Sequence, residues 1–172
     1  MRAAADVLHD FKQVMVLNGD VPLIEAATLR EMLTQFEVKR AGVSVLAMQV
    51  ENPTGYGRLV READGSFARI VEETETDDTT RVIKEVNGGM YVFNADALVH
   101  ALALLEPQGP KKEFYLTDTL SFIKGFGLPA LVYVLRDNTQ ALGVNGRAEL
   151  AQVETIMQAR INAKHMANGV RL

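Results

Sequence analysis

The sequence predicts a layered α/β fold: a mixed, mostly parallel sheet with flanking helices and one small antiparallel hairpin excursion. Three observations carry this. Short valine-rich apolar runs such as Val14–Leu17 and Val43–Val50 alternate with stretches of helical periodicity such as Glu25–Lys39, and apolar runs of that length between turn signals read as strands buried on both faces. Asp64-Gly65 separates two extended runs, Arg58–Glu62 and Ser66–Glu72, which is a hairpin signal. The unusual polar and glycine-rich positions, Asp20, Gly57, Glu72, Asn87 and Asn145, fall where a strand gives out, and in open α/β sheets that edge holds ligands.

The totals fit this class. A chain of 172 residues with 48% hydrophobic content is long enough for one domain with its own core, residues 1–172. A net charge of -4 and a pI near 5.4 supply no footprint for nucleic acid. The absence of cysteine removes disulfides, thiolate metal sites and thiol nucleophiles together. No apolar run reaches the length that spans a bilayer, and Met-Arg-Ala-Ala-Ala-Asp at the start has no apolar core of a signal peptide. A cytoplasmic protein with no membrane partner is expected.

Taken in order, residues 1–11 read as a helix with Ala4, Val7, Leu8 and Phe11 on one face and no N-cap, as though the element began further upstream. Val14–Leu17 is a strand buried on both faces, ended by Asn18-Gly19 and closed to further pairing by Pro22. That places the carboxylate of Asp20 at the strand's carboxyl end. Two readings stay open there: a turn in which Asp20 caps backbone amides, or a carboxylate holding a hard cation against a phosphate.

The helix Glu25–Lys39 buries Leu29, Met32, Leu33 and Phe36, and its acidic start and basic end suit the helix dipole. Gly42 stops it, Val43–Val50 follows as a strand, and Asn52–Gly57 is a turn whose glycines admit a close neighbour. After the hairpin, the acidic, threonine-rich stretch Glu73–Thr80 has no periodicity and reads as a mobile surface loop. Val82–Phe93 is extended and interrupted by Asn87-Gly88-Gly89, which predicts a bulge or a close backbone approach.

Asn94 caps a helix Ala95–Leu105 with Leu98, Ala101, Leu102 and Leu105 buried, ended by Gln108-Gly109-Pro110. A short helix near Thr117–Lys124, a strand near Ala130–Leu135 and a long helix Arg147–Ala167 complete the chain, the last with Leu150, Val153, Met157 and Ile161 on one face. His9, His100 and His165 have no second ligand at metal spacing and read as solvated or capping residues. The methionines read as core filling. Glu73, Glu75, Asp77 and Asp78 lack the glycine and closing glutamate of a calcium loop, and Arg58 reads as a phosphate contact or a surface residue, the surface role being favoured.

Six ordered motifs add a resemblance: Asn18-Gly19-Asp20-Val21-Pro22-Leu23, Pro53-Thr54-Gly55-Tyr56-Gly57-Arg58, Ile70-Val71-Glu72, Glu85-Val86-Asn87-Gly88-Gly89, Glu113-Phe114-Tyr115-Leu116-Thr117-Asp118 and Gly143-Val144-Asn145-Gly146-Arg147. In this order, and nearly end to end, the chain resembles the bacterial bifunctional N-acetylglucosamine-1-phosphate uridylyltransferases. These are nucleotide-diphospho-sugar transferases with a Rossmann-like fold that act in cell-wall biosynthesis. The end of the chain, Ala167–Leu172, looks like the exit of that family's connecting helix. The resemblance implies an enzyme that joins UTP to N-acetylglucosamine 1-phosphate and releases pyrophosphate.

By the same resemblance, Asp20 and Asn145 hold Mg2+, the Gly57 backbone with Glu72 and Asn87 holds the amino sugar, and Glu113, Tyr115 and Thr117 line the same pocket. The family's nucleotide loop, Leu-x-x-Gly-x-Gly-Thr-Arg-Met, is absent from these residues, as is the segment that reads uracil. Asn18 stands where the family usually has tyrosine and Thr74 where a lysine commonly follows the sugar-binding glutamate, so both positions lose a contact near the ligand. The expectation is an N-terminally truncated uridylyltransferase domain that keeps the sugar-phosphate and magnesium half and is inactive alone. Two alternatives stand beside it: a binding module that forms a homo-oligomer through an exposed sheet edge, and a subunit that uses UTP only with a complementing nucleotide-binding chain.

Overall fold

The computed structural model describes residues 5–107 and 112–172, without the side chains of Ala5 and Asp6. Its centre is a six-stranded mixed sheet. The strands are β1 (Gln13–Val16), β2 (Val43–Gln49), β3 (Arg58–Arg61), β4 (Phe67–Val71), β5 (Glu85–Asn94) and β6 (Ala130–Val134), and the helices are α1 (Ala5–Leu8), α2 (Ala26–Val38), α3 (Asp78–Arg81), α4 (Ala95–Leu104), α5 (Asp118–Gly125) and α6 (Arg147–Ala167).

The mixed sheet with flanking helices is as the sequence predicts. Its parallel character lies in strand direction rather than in pairing. β1, β2, β3 and β6 run one way, but β5 lies antiparallel between β2 on one side and β1 and β3 on the other, so β2 with β6 is the parallel ladder. The hairpin of β3 and β4 is the predicted excursion, with Gly65 at φ +82° in its turn, a backbone shape that costs glycine nothing.

Each face of the sheet carries its own core. Val43, Val45, Tyr91 and Phe93 point to one side and meet Leu98 and Leu102 of α4 and Leu120 and Ile123 of α5. Leu46, Met48, Met90 and Val92 point to the other and meet Met32 and Phe36 of α2. Alternation along β2 and β5 therefore buries both faces, which explains why their sequences read as unbroken apolar runs. Two readings near the start of the sequence do not hold in full. Among the described residues the first helix runs Ala5–Leu8 and stops before Phe11, while residues 1–4 of the expected helix lie outside them. β1 is half-buried at all four positions and Leu17 is exposed, because β1 pairs with β5 along one edge only.

Glu73–Thr80, read as a mobile loop, is ordered instead. It forms a 3₁₀ turn at Glu73–Glu75 and then α3. Asp77 caps α3: its Oδ1 accepts the amides of Thr79 and Thr80 at 3.1 and 2.8 Å, and the Thr80 hydroxyl accepts the Asp77 N–H at 3.0 Å, a reciprocal cap. These donors hold the Asp77 carboxyl far below the usual carboxylate range. Asn94 caps α4 as predicted, accepting Ala97 N–H at 2.9 Å. The proposed helix stop at Gln108-Gly109-Pro110 lies outside the described residues.

α6 has the predicted bounds, but Val153 is its one buried residue, and Leu150, Met157 and Ile161 are exposed. A second anchor holds it to the body: Arg160 donates to the Leu23 carbonyl at 2.7 Å and to the Thr139 hydroxyl at 3.2 Å, and pairs with Glu25 and Asp137. No helix among the described residues is long and apolar enough to cross a membrane.

Candidate functional site

β1 stops at Val16, opposite Tyr91, and β3 starts at Arg58, opposite Val86. Both lie on the edge of β5 away from β2, so a gap separates them. β5 bulges into this gap. Its register against β2 slips between Val45 and Ala47, which leaves Gly88 and Gly89 unpaired. Neither glycine could carry a side chain: a Cβ on Gly88 would strike the Leu46 side chain and sit 3.0 Å from the Leu46 carbonyl oxygen, and one on Gly89, at φ +73°, would strike the amide of Asn18. The bulge foreseen at Asn87-Gly88-Gly89 is thus required by the strand and loop packed against it.

A cavity of about 410 Å³ fills the gap, lined among others by Asn18, Asp20, Tyr56, Asn87, Asn145 and Glu149. One side of it is made by two loops held together where Val144 N–H donates to the Asp20 carbonyl at 2.9 Å. Gly143 marks where the side chains of Asp20 and Asn145 approach each other, since a Cβ there would lie 3.9 Å from Asp20 Oδ2 and 4.0 Å from Asn145 Nδ2. Both residues are exposed. Among the described residues neither side chain is hydrogen-bonded. A carboxylate and an amide with oxygens to spare fit a hard divalent cation that keeps several waters, the amide turning its oxygen inward by a flip. No cluster of three or more His, Cys, Asp or Glu at metal distance occurs among the described residues.

A braced cluster adjoins the cavity at Asn87. Gly57 is buried, and a Cβ on it would sit 3.4 Å from Glu72 Oε2 and 3.7 Å from Asn87 Cβ. The Gly57 carbonyl accepts the Asn87 N–H at 2.8 Å. Glu72 accepts the hydroxyl of Thr117 on Oε1 at 2.7 Å, which leaves Oε2 toward Gly57. Asn87 accepts Gly89 N–H on Oδ1 at 3.0 Å and donates from Nδ2 to the Tyr91 hydroxyl at 2.7 Å. Burial, with Glu72 adding to it, pushes the Tyr91 hydroxyl up to about 12, so it stays protonated.

Of the sequence-predicted residues, Asp20, Asn87 and Asn145 share the cavity, while Gly57, Glu72, Asn87 and Thr117 form the braced cluster. Asn87 belongs to both. Tyr115 stands near Glu72 and Glu113: burial first, then those carboxylates, raise its hydroxyl above the usual tyrosine range. Glu113 itself is exposed. Asp118, next along, is raised by burial and by Glu75 and Glu72, so the cluster carries a concentrated negative potential. The three histidines are exposed.

Two polar residues of the cavity escaped the sequence reading, Tyr56 and Glu149. Tyr56 sits between Gly55 and Gly57, where the glycines drew attention, and Glu149 stands in the first turn of α6, where a carboxylate also suits the helix dipole. Arg58 is not at the surface but 1% exposed, with its guanidinium paired to Glu73 at 2.7 Å.

The comparisons agree with this architecture. A sequence model of the family described as nucleotidyl transferase matches residues 1–138. The chain is 42% identical over 159 residues to the bifunctional protein GlmU of Streptococcus suis, which covers 92% of this chain and 34% of that protein. It is 37% identical over 172 residues to the GlmU of Clostridioides difficile, covering 100% and 38%. The chain therefore spans little more than a third of the length of these curated relatives. Among solved structures, one described as a glucose-1-phosphate thymidylyltransferase from Bacillus anthracis in complex with sucrose superposes with a TM-score of 0.65 at 14% identity, over 90% of this chain and 58% of that one. A CMP:2-keto-3-deoxy-manno-octonic acid synthetase complexed with CTP gives 0.60 at 15% identity, over 91% and 66%. These two share the fold, and the sequence match carries the assignment: the chain belongs to the nucleotidyl transferase family.

Proposed function

We propose that this chain is the sugar-phosphate and magnesium half of a uridylyltransferase domain for N-acetylglucosamine 1-phosphate. The observation that supports it best is the arrangement around Asn87, with a cavity that holds free oxygen donors on one side and a cluster with a braced carboxylate and a braced amide on the other. A sugar needs fixed groups that accept hydroxyl protons and pair with an amide, and Glu72, Asn87 and the Gly57 backbone provide them, with Thr117 orienting Glu72. Glu113 and Tyr115 line the outer wall. Asp20 and Asn145 hold Mg2+ through oxygen. The ion, when bound, neutralises the phosphates so that two polyanions can approach.

The chain's own contribution is positioning. Holding the sugar at the Gly57 and Glu72 side aims its phosphate oxygen at the α-phosphate of UTP; the new P–O bond forms as the bond to the bridging oxygen breaks and pyrophosphate leaves. No residue of the chain needs to form a covalent intermediate. The UTP phosphates require a glycine-rich cradle, which these 172 residues do not contain, so turnover depends on a segment or second chain that carries one. Calorimetric titration with N-acetylglucosamine 1-phosphate, with and without magnesium, tests the reading. Magnesium-dependent binding that disappears in Asp20→Ala is expected, together with pyrophosphate release only after a chain bearing the glycine-rich loop is added. Absence of binding to the unaltered chain overturns it.

A second reading rests on β1. Among the described residues it has one ladder neighbour, β5, and Phe11 and Leu17 beside it are 57% and 44% exposed. An edge strand with apolar flanks recruits another strand, which would make the chain a binding or homo-oligomeric module. A monomeric mass in solution at all concentrations removes this reading.

A further inference from the structure

The most deeply buried guanidinium among the described residues stands directly behind the ligand-facing backbone. Arg58 opens β3 beside Gly57 and is the largest of the fully buried side chains. It reaches three pieces of chain. Nη1 donates to the Tyr56 carbonyl and to Glu73 Oε2, the latter at 2.7 Å, and Nε donates to the Arg81 carbonyl at 3.4 Å. The same Glu73 oxygen accepts the Gly55 N–H at 3.0 Å. One ion pair thereby ties the turn that ends in Gly57 to the segment that starts with Glu72 and to the end of α3.

Stability alone does not call for such a pair, because an apolar side chain of similar volume serves a buried site as well or better. What an arginine adds is a planar fork of donors with fixed directions. A second arginine on the same strand provides the contrast. Arg61 pairs with Glu85 at 2.5 Å and also donates to the Gly65 carbonyl at 2.9 Å. It joins β3 to its hairpin turn and to the start of β5, has no hydrogen bond or ion pair with a site residue among the described residues, and is exposed.

We propose that Arg58 and Glu73 are positioning residues that set the spacing between the Gly57 backbone and the Glu72 carboxylate, and so determine preference for an acetamido sugar over a plain hexose 1-phosphate. The inference rests on the amino-sugar reading above. A lysine at position 58 keeps the charge but cannot hold the Tyr56 carbonyl, the Arg81 carbonyl and Glu73 together, so the two walls lose their register. A misplacement of this kind costs on the order of tenfold to a hundredfold in a ligand that needs both walls.

The test compares affinities for N-acetylglucosamine 1-phosphate and glucose 1-phosphate, with magnesium, in the unaltered chain, Arg58→Lys, Glu73→Gln and the control Arg61→Lys, with thermal melts alongside. The unaltered chain and the control should prefer the acetamido sugar. Arg58→Lys and Glu73→Gln should lose about tenfold or more of that preference, with affinity for glucose 1-phosphate largely kept. Glu73→Gln supplies the answer if Arg58→Lys does not fold. Retained preference in a folded variant overturns the inference while leaving the amino-sugar reading in place. An equal loss for both ligands, tracking a lower Tm, overturns it too, because that is a purely structural effect. An unaltered chain that binds neither ligand, or both alike, instead removes the amino-sugar reading and the positioning role with it.

Discussion

Glu72 and Asp20 are both carboxylates just past the end of a strand, yet their surroundings differ. Glu72 is half-buried and accepts the Thr117 hydroxyl at 2.7 Å, close to Gly57, whose carbonyl is bonded to Asn87 and through it to Tyr91. Asp20 is exposed, and its side chain is held by nothing among the described residues. On the proposed function, the difference matches what each would bind. A sugar is neutral and directional, so its partners gain from being oriented beforehand; a divalent cation supplies its own field, and a ligand already bonded elsewhere would have to be released first. The braced side should therefore be coupled to the stability of the fold, and the solvated side should not.

Breaking both sides together needs the bulge beneath them. Gly88→Ala forces a methyl into Leu46 and against its carbonyl, and overpacking of this kind costs about 2–3 kcal/mol; urea denaturation should show the largest loss of stability here, with the ligand affinity lost as well. Next comes Thr117→Val, which fills the same volume but leaves Glu72 Oε1 without its donor. A loss of about 1–2 kcal/mol is expected by thermal melting, with weaker sugar-phosphate binding. The smallest effect belongs to the solvated side: Asp20→Asn should change stability by less than about 0.5 kcal/mol while removing the magnesium dependence of binding.

Acid sharpens the same contrast. The Arg58 guanidinium, and then the Gly55 N–H, hold the Glu73 carboxyl below its usual 4.5. Its folded pKa is thus depressed, so the stabilisation it lends is complete above 4.5 and is lost as pH falls below that value through the folded pKa. Acid titration monitored by circular dichroism should show the unaltered chain losing stability relative to Glu73→Gln in that window. Parallel curves would mean that Glu73 is not coupled to folding.

Much of this molecule is written locally. The α6 bounds, the Asn94 cap and the Asp64-Gly65 hairpin depend on residues within one turn of each other, and all three are read correctly from their neighbours alone. Asp77 and Thr80 carry the same kind of signal, and the stretch was still misread because its acidic, aperiodic composition resembles a loop. Arg58 shows the opposite limit. Nothing adjacent to it announces burial, since its partners Glu73 and Arg81 stand 15 and 23 residues away, and an arginine at the start of a strand is ordinarily solvated.

The sequence by itself determined the alternation of strands and helices, the ordered motifs, and the place of a bulge at Asn87-Gly88-Gly89, because these rest on periodicity, turn chemistry and the freedom of glycine. Tertiary structure alone decided that β5 runs antiparallel between β1 and β2, that the gap between β1 and β3 becomes a cavity, and that Asn87 stands between this cavity and the Gly57 and Glu72 cluster. Those outcomes depend on which distant segments pair, and a pairing is chosen by the burial of both sheet faces at once, a quantity that no single stretch of the chain contains.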